Sequence, residues 1–151
     1  MQKFILIVLL SLASHTYAQS EKLVWEDWNT GYEKAFKQNK IILIDAYTES
    51  CGLCKKMDRD TYANPEVIKK LNQHFVVIKF NPEVPFEGYK VGDQTVNNQQ
   101  LYNMLCQGKP TGFPTTYYIT PTKNTLSIDV GYKGPEDFLK VLDATVTNAQ
   151  K

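Results

Sequence analysis

The sequence predicts an α/β domain with a central mixed β-sheet flanked by helices, and three observations predict it. Two short runs, Ile41–Ile44 and Phe75–Phe80, are rich in β-branched and aromatic residues and have the length of buried strands. Between them Asn64-Pro65 marks a helix start: a capping side chain, then proline at the first helical position. A helix joining two buried strands makes them parallel neighbours. Further on, Thr116–Thr120 and Thr125–Val130 read as a β-hairpin around a turn at Pro121–Asn124, which adds antiparallel partners.

Residues 1–18 are expected to lie outside this domain. Met1-Gln2-Lys3 carries one positive charge, Phe4–Leu12 is almost wholly apolar, and Thr16-Tyr17-Ala18 ends the run with small residues at alternating positions. That is the pattern of a secretory signal peptide cut after Ala18. The apolar run is well short of the roughly 20 residues a spanning helix needs, so no membrane insertion is expected after cleavage. No cysteine follows the cleavage region to carry a lipid. Export places the cysteines in an oxidising compartment, a bacterial periplasm or the extracellular medium.

The domain is then expected over residues 19–151, enough chain for a real hydrophobic core. A formal net charge of +1 with scattered basic residues argues against nucleic acid or an anionic membrane surface as partner. With 3 cysteines, the chain is no disulfide-stapled miniature.

In chain order, Glu21–Trp28 is a lead-in whose tryptophans, Trp25 and Trp28, are expected as core or staple residues. Asn29 or Thr30 then caps a helix to about Asn39, with Tyr32, Ala35 and Phe36 on one face. The central strand follows at 41–47, and Asp45 interrupts its apolar run where the strand should still be inside the protein. After a polar turn at Tyr47–Ser50, Cys51-Gly52-Leu53-Cys54 opens a helix to about Asp60. The helix from Pro65 to Gln73 is expected to bury Val67, Ile68 and Leu71, and His74 takes a surface or turn role at its end.

From Asn81 to Asp93, Pro82, Pro85, Gly88 and Gly92 give a loop longer than usual for a compact domain. Thr95–Gln107 reads as a helix with Val96, Leu101, Met104 and Leu105 inward, and Cys106 closes it, either as a small buried residue or as a free thiol open to intermolecular pairing. Gly108–Thr111 form a turn, and Gly112–Thr115 lead into the next strand, where Pro114 costs little because a strand's first residue can lack a donor. Gly131 ends the last strand. Pro135 begins an amphipathic helix to about Ala149, with Phe138, Leu139, Leu142 and Val146 inward.

Strand, turn, Cys-x-x-C, helix is the order that thiol–disulfide chemistry needs. A sulfur at a helix N-terminus sits among unpaired N–H groups at the positive end of the macrodipole, which favours thiolate over thiol. On this reading Cys51 attacks a substrate disulfide and Cys54 resolves the mixed disulfide. The competing readings are a passive structural disulfide or half of a zinc site. Zinc needs further ligands, and beyond the motif the domain offers Cys106 and His74 at no recognisable ligand spacing. No metal and no cofactor other than the cysteine pair is expected.

The order β-α-β, helix, β-hairpin, helix, with Cys-x-x-C after the first core strand, resembles the thioredoxin fold over nearly the whole domain, with an extra loop and helix before the proline. The resemblance implies specific roles. Cys51 and Cys54 match the redox pair, Asp45 the buried acid before it, Pro114 the cis-proline facing the disulfide, and Gly131 the glycine near the end of the last strand. It places Gly52, Leu53, Phe113 and Pro114 on the substrate-binding surface, with the Phe113 backbone presented to an extended peptide and its side chain a candidate for selectivity. Asp45, with a raised pKa from burial, becomes a general base for the Cys54 proton.

The stretch from Cys51 to Phe80 is similar to exported thioredoxin-like proteins that share features with the C-terminal domain of thiol:disulfide interchange proteins. Thioredoxin itself carries tryptophan before the first cysteine and Gly-Pro between the pair; here Ser50 and Gly52-Leu53 stand in those places, so the reduction potential does not transfer. Glu49 opposes a Cys51 thiolate while Lys55 and Lys56 favour it, and no net direction follows.

The implied function is an exported protein-disulfide oxidoreductase. It would act as a reductase of disulfide-bearing proteins, kept reduced by a membrane thiol:disulfide interchange protein. The alternatives are a disulfide oxidase or isomerase, or a peptide-binding module whose disulfide is inert. The 81–93 loop and the helix after it are expected to form a partner-recognition surface.

Overall fold

Strand β1 (Ile41–Ala46) is buried at every position, and the rest of the chain is arranged around it. The computed structural model describes residues 22–151, and the leader reading at 1–18 lies outside the described residues. Helix α1 (Trp28–Gln38) precedes β1. Helices α2 (Gly52–Asp60) and α3 (Pro65–His74) then lead to β2 (Phe75–Phe80), which pairs with β1 in parallel. After a small β-hairpin, β3 (Tyr89–Val91) and β4 (Gln94–Val96), come α4 (Asn98–Leu105), β5 (Thr115–Thr120), β6 (Thr125–Val130) and α5 (Pro135–Gln150). The main sheet has the order β2-β1-β5-β6, with β5 antiparallel to β1 and β6 antiparallel to β5. This is the mixed sheet of the thioredoxin fold.

Each face of the sheet carries its own core, because alternate residues of a strand point to opposite sides. Ile42, Ile44, Val76, Ile78 and Tyr117 pack with Trp28, Ala35, Leu101 and Leu105 of α1 and α4. Leu43, Val77 and Tyr118 pack on the other face with Met57, Val67, Leu71, Phe138 and Leu142 of α2, α3 and α5. The two tryptophans serve as packing residues: Trp28 is buried in the first core and Trp25 lies against the second.

Helix α1 approaches β2 closely because of Gly31. A Cβ built there would stand 2.6 Å from Ile78 Cγ1, and Ile78 is fully buried. Replacing glycine by alanine in an ordinary helix interior gains about 1 kcal/mol. Overpacking a filled core loses about 1–3 kcal/mol, and the β-branched Ile78 has no room to turn aside. Gly31→Ala is therefore expected to lower stability by roughly 1 kcal/mol, read as a fall in the urea midpoint.

Several expectations are corrected. The cap of α1 is Asp27, whose carboxylate accepts from the Thr30 N–H at 3.1 Å, so the helix starts two or three residues earlier than a cap at Asn29 or Thr30 would give. The Asn29 side chain is engaged elsewhere, donating to Gly88 C=O and accepting from Lys90 N–H. Met104 is exposed rather than inward, Phe36 on the Tyr32–Ala35 face is exposed as well, and Ile68 is half-buried.

The segment 81–93 is not wholly a loop, and the helix does not start at Thr95. Tyr89–Val91 and Gln94–Val96 pair as a hairpin that turns at Gly92, whose φ of 58° suits glycine. The helix begins after Asn97, which forms a reciprocal capping box with Gln100. That Asn-x-x-Gln spacing is present in the sequence; three-residue strands are too short for an alternation signal.

Candidate active site

Strand β1 ends at Ala46, and its pairing continues one step further through the Tyr47 N–H to Phe80 C=O at 3.0 Å. The chain then turns, with the Cys51 N–H donating to Thr48 C=O at 3.2 Å, and enters α2. Cys51 is the N-cap of that helix. Its sulfur accepts from the Cys54 N–H at 3.1 Å, the kind of donor left free by the first turn of any helix.

Cys51 and Cys54 form a disulfide, with Cα atoms 5.3 Å apart. Cys51 is partly exposed and Cys54 is 3% exposed, so the two sulfurs differ in access. Gly52 and Leu53 between them face solvent, Leu53 at 51% exposure.

Strand β5 runs antiparallel to β1 and starts with Thr115 opposite Ala46, so the residues before it lie at the same end of the sheet as the cysteine turn. The Phe113–Pro114 bond there is cis, and Pro114 is buried. Pro114 C=O accepts from the Gly131 N–H at 2.8 Å, and Gly131 has φ 92°. Phe113 is partly buried with its ring 6.0 Å from that of Tyr102.

Asp45, one residue before the end of β1, is 1% exposed. One carboxylate oxygen accepts from Lys79 Nζ at 2.6 Å, and Lys79 also pairs with Asp58 of α2. The ammonium is walled by three aromatic rings, at 4.7 Å from Trp25, 4.9 Å from Tyr47 and 5.4 Å from Tyr62. Burial raises the Asp45 pKa above the ordinary carboxylate range, and the Lys79 charge only partly offsets it. For Lys79, burial works against the charge, but Asp45 and Asp58 outweigh it and hold the ammonium above its usual range.

Lys79, Asp58 and the rings around them were missed in the sequence reading, yet a signal exists. In IILIDA and FVVIKF the one charged residue stands fifth of six, and in-register parallel pairing sets Asp45 beside Lys79. Cys106 is buried at the end of α4, and among the described residues no group of His, Cys, Asp and Glu is arranged to hold a metal ion.

The segment from Pro82 to Lys90 leaves the same end of the sheet, since β2 runs parallel to β1. It is pinned at both ends. Asn98 donates through its backbone to Phe86 C=O at 2.9 Å and through its side chain to Pro82 C=O at 2.6 Å, while Trp28 Nε1 donates to Lys90 C=O at 2.8 Å. Between these ties Val84 and Phe86 stay exposed. Phe86 is seated edge-on against Tyr89 with centroids 4.7 Å apart.

The model of the Thioredox_DsbH family, described as a protein of unknown function (DUF255), matches residues 11–144. Spermatogenesis-associated protein 20 of Homo sapiens and that of Mus musculus are each 24% identical over 131 residues, covering 85% of this chain. The chain spans only 15% of the length of these curated relatives.

Among solved structures, a thioredoxin from Thermus thermophilus superposes with TM-score 0.68 at 19% identity, covering 85% of this chain and 90% of its own. A DsbH oxidoreductase superposes with TM-score 0.60 at 18% identity, covering 83% and 85%. The reduced C-terminal domain of DsbD from Neisseria meningitidis gives TM-score 0.55 at 18% identity, covering 78% and 92%. At these identities the likeness shows a shared fold.

Proposed function

This chain belongs to the Thioredox_DsbH family, and from that premise we propose that it is a thiol:disulfide oxidoreductase working as a reductase of protein disulfides outside the cytoplasm. The observation that carries the proposal is the Cys51–Cys54 disulfide at the N-terminus of α2, at the sheet end that also holds the cis-proline.

The difference in access between the two sulfurs supports their roles. In the reduced protein the partly exposed Cys51 thiolate attacks a substrate disulfide, a bond forms between Cys51 and one substrate sulfur, and the other leaves as a thiolate. Cys54 gives its proton to Asp45 and attacks the Cys51 sulfur. The Cys51–substrate bond breaks, the substrate has gained two electrons as a dithiol, and the enzyme holds them no longer. Asp45 suits the step because a carboxylate with raised proton affinity takes a thiol proton more readily. A bound peptide would lie across Gly52, Leu53 and the Phe113–Pro114 backbone, with the exposed Val84 and Phe86 beside it as apolar contacts.

The leader pattern in residues 1–18 supports a periplasmic or secreted location. There the disulfide needs an electron source, and a membrane thiol:disulfide interchange protein fits: its dithiol attacks the Cys51–Cys54 disulfide and restores the reduced pair. The DsbD C-terminal domain of Neisseria meningitidis, solved in reduced and oxidised forms, has a similar fold.

The test is the equilibrium of the pair against glutathione together with insulin reduction by the protein under a chemical reductant. A potential toward the strongly reducing end of the range such pairs span, with turnover, is the result expected of a reductase. A potential near roughly −120 mV would instead mark an oxidase. No turnover with any disulfide substrate would exclude the oxidoreductase reading.

A further inference from the structure

One polar residue from each strand of the main sheet stands at the same register level. Lys79 of β2 lies opposite Asp45, Asp45 opposite Thr116 of β5, and Thr116 opposite Asp129 of β6. Directly paired residues share a face, so these side chains cross the whole sheet as one row. Leu43, Val77 and Tyr118, two residues along each strand, place the row on the face covered by α2, α3 and α5. Its ends are tied off by ion pairs, Lys79 with Asp58 and Asp129 with Lys133.

The middle of the row is different. Asp45 Oδ1, Tyr62 OH and Tyr118 OH are all buried with no hydrogen-bond partner among the described residues. They belong together: Lys79 Nζ, 2.6 Å from the other Asp45 oxygen, stands 5.4 Å from the Tyr62 ring centroid, Tyr118 lies two residues beyond Thr116 on the same face, and the Tyr62 hydroxyl favours the charged form of Asp45. Packing alone gives no reason for these hydroxyls, because phenylalanine would fill the same space without burying a polar atom.

We propose that Tyr62 is a positioning residue for the exchange reaction: its hydroxyl, backed by Tyr118 and Thr116, faces the Asp45 oxygen that Lys79 leaves free and sets how readily Asp45 takes the Cys54 proton. The inference rests on the exchange mechanism above. Tyr62 is well placed for the task. It sits in the turn behind α2, where its N–H donates to Met57 C=O at 3.0 Å, while its neighbour Thr61 donates to Lys133 C=O at 2.6 Å. Its ring is held edge-on by Trp25 at 4.9 Å and Phe138 at 5.5 Å.

Lys79 of β2, Asp58 of α2 and Tyr62 of the turn act on the Asp45 carboxyl, Thr116 of β5 stands opposite it, and Tyr118 and Asp129 lie further along the same sheet face. A hydroxyl directed at a carboxylate favours the ionised form, so removing it makes Asp45 hold its proton more tightly. During resolution Asp45 must be ionised to accept the Cys54 proton, after which the Cys54 sulfur bonds to Cys51 and the substrate sulfur departs with the electron pair. The acid limb of that step therefore moves to higher pH when the hydroxyl is lost.

The experiment mixes reduced protein with an aromatic disulfide and follows capture and then release of the chromophoric thiol across pH, in the native protein and in Tyr62→Phe. The variant keeps the ring packing and is expected to fold. Its release phase should lose its rate at a pH about half a unit higher, which is about threefold slower on the acid limb. The Asp45 carboxyl signal, titrated by NMR in the disulfide form, should move upward with it. In the Asp45→Asn background, Tyr62→Phe should leave the release profile unchanged.

An unmoved Asp45 titration in folded Tyr62→Phe overturns the inference whatever the activity. So does an equal rate change at every pH, which is what a merely structural role gives. A moved titration in a protein whose native form exchanges no disulfide upholds the tie between Tyr62 and Asp45 and counts against the exchange mechanism instead. Should Tyr62→Phe not fold, Thr116→Val, which removes the hydroxyl both tyrosines approach, tests the same shift.

Discussion

Replacing Cys51 by serine is expected to reduce disulfide reduction to the uncatalysed background, whereas replacing Cys54 leaves the first half of the reaction intact and stops the second. The asymmetry follows from access and from the helix. Cys51 is partly exposed at the N-terminus of α2, where the sulfur already accepts the Cys54 N–H, so negative charge on that sulfur is favoured. A serine hydroxyl at the same place stays protonated at neutral pH and does not attack sulfur.

Cys54 is buried beneath it and is reached by the Cys51 sulfur rather than by a protein substrate. Cys54→Ser should therefore accumulate a mixed disulfide between Cys51 and substrate. Mass spectrometry of acid-quenched reactions should find the adduct on the peptide containing Cys51. Cys106 is fully buried at the end of α4, so Cys106→Ser should change neither result. Persistent turnover in Cys51→Ser would remove the proposed nucleophile. Partner binding that survives in a protein lacking both cysteines, with no turnover in the native one, would favour a binding module.

The second large effect concerns stability and has opposite signs at the two ends of one ion pair. Asp45 has a pKa raised by burial. From the ordinary carboxylate range up to its raised folded value, the native state binds a proton that the unfolded chain has lost, so stability falls as pH rises through that window. Above it, the buried charge remains a constant cost. Asp45→Asn is expected to raise stability at neutral pH, and the gain should vanish below the ordinary carboxylate range, where Asp45 is neutral in both states.

Lys79 does not become an orphan in that variant. It retains Asp58, the three rings and partial contact with water. Lys79→Met is the reverse case, since it strips a fully buried carboxylate of its one counter-charge. Losing one partner of a buried pair costs about 3–5 kcal/mol. The loss should be largest at neutral pH and shrink in acid as Asp45 takes up a proton. Urea midpoints of both variants across pH check the signs; a destabilised Asp45→Asn at neutral pH would mean the pair contributes net stability.

Most of this architecture is written locally. Asn64-Pro65, Pro135 and the Cys51 turn mark helix starts by residue chemistry alone, and IILIDA and FVVIKF announce buried strands. The hairpin at 89–96 escaped because each of its strands is three residues long, and pairing of so short a segment depends on what covers it. Phe36 and Met104 have the right spacing for a core, but the described structure turns them to solvent. Helical periodicity names a face, not how much of it is covered.

By itself, the sequence determined which sulfur begins the helix and which lies a turn deeper, because helix capping and i to i+3 spacing are properties of consecutive residues. Only the tertiary structure decided what surrounds Asp45. Its neighbours Lys79, Asp58, Tyr62 and Tyr118 come from different strands, a helix and a turn, and the register that gathers them is fixed by burying the apolar faces on either side. The proton affinity of a carboxylate depends on that gathering, since desolvation and nearby charge act through space and not along the chain.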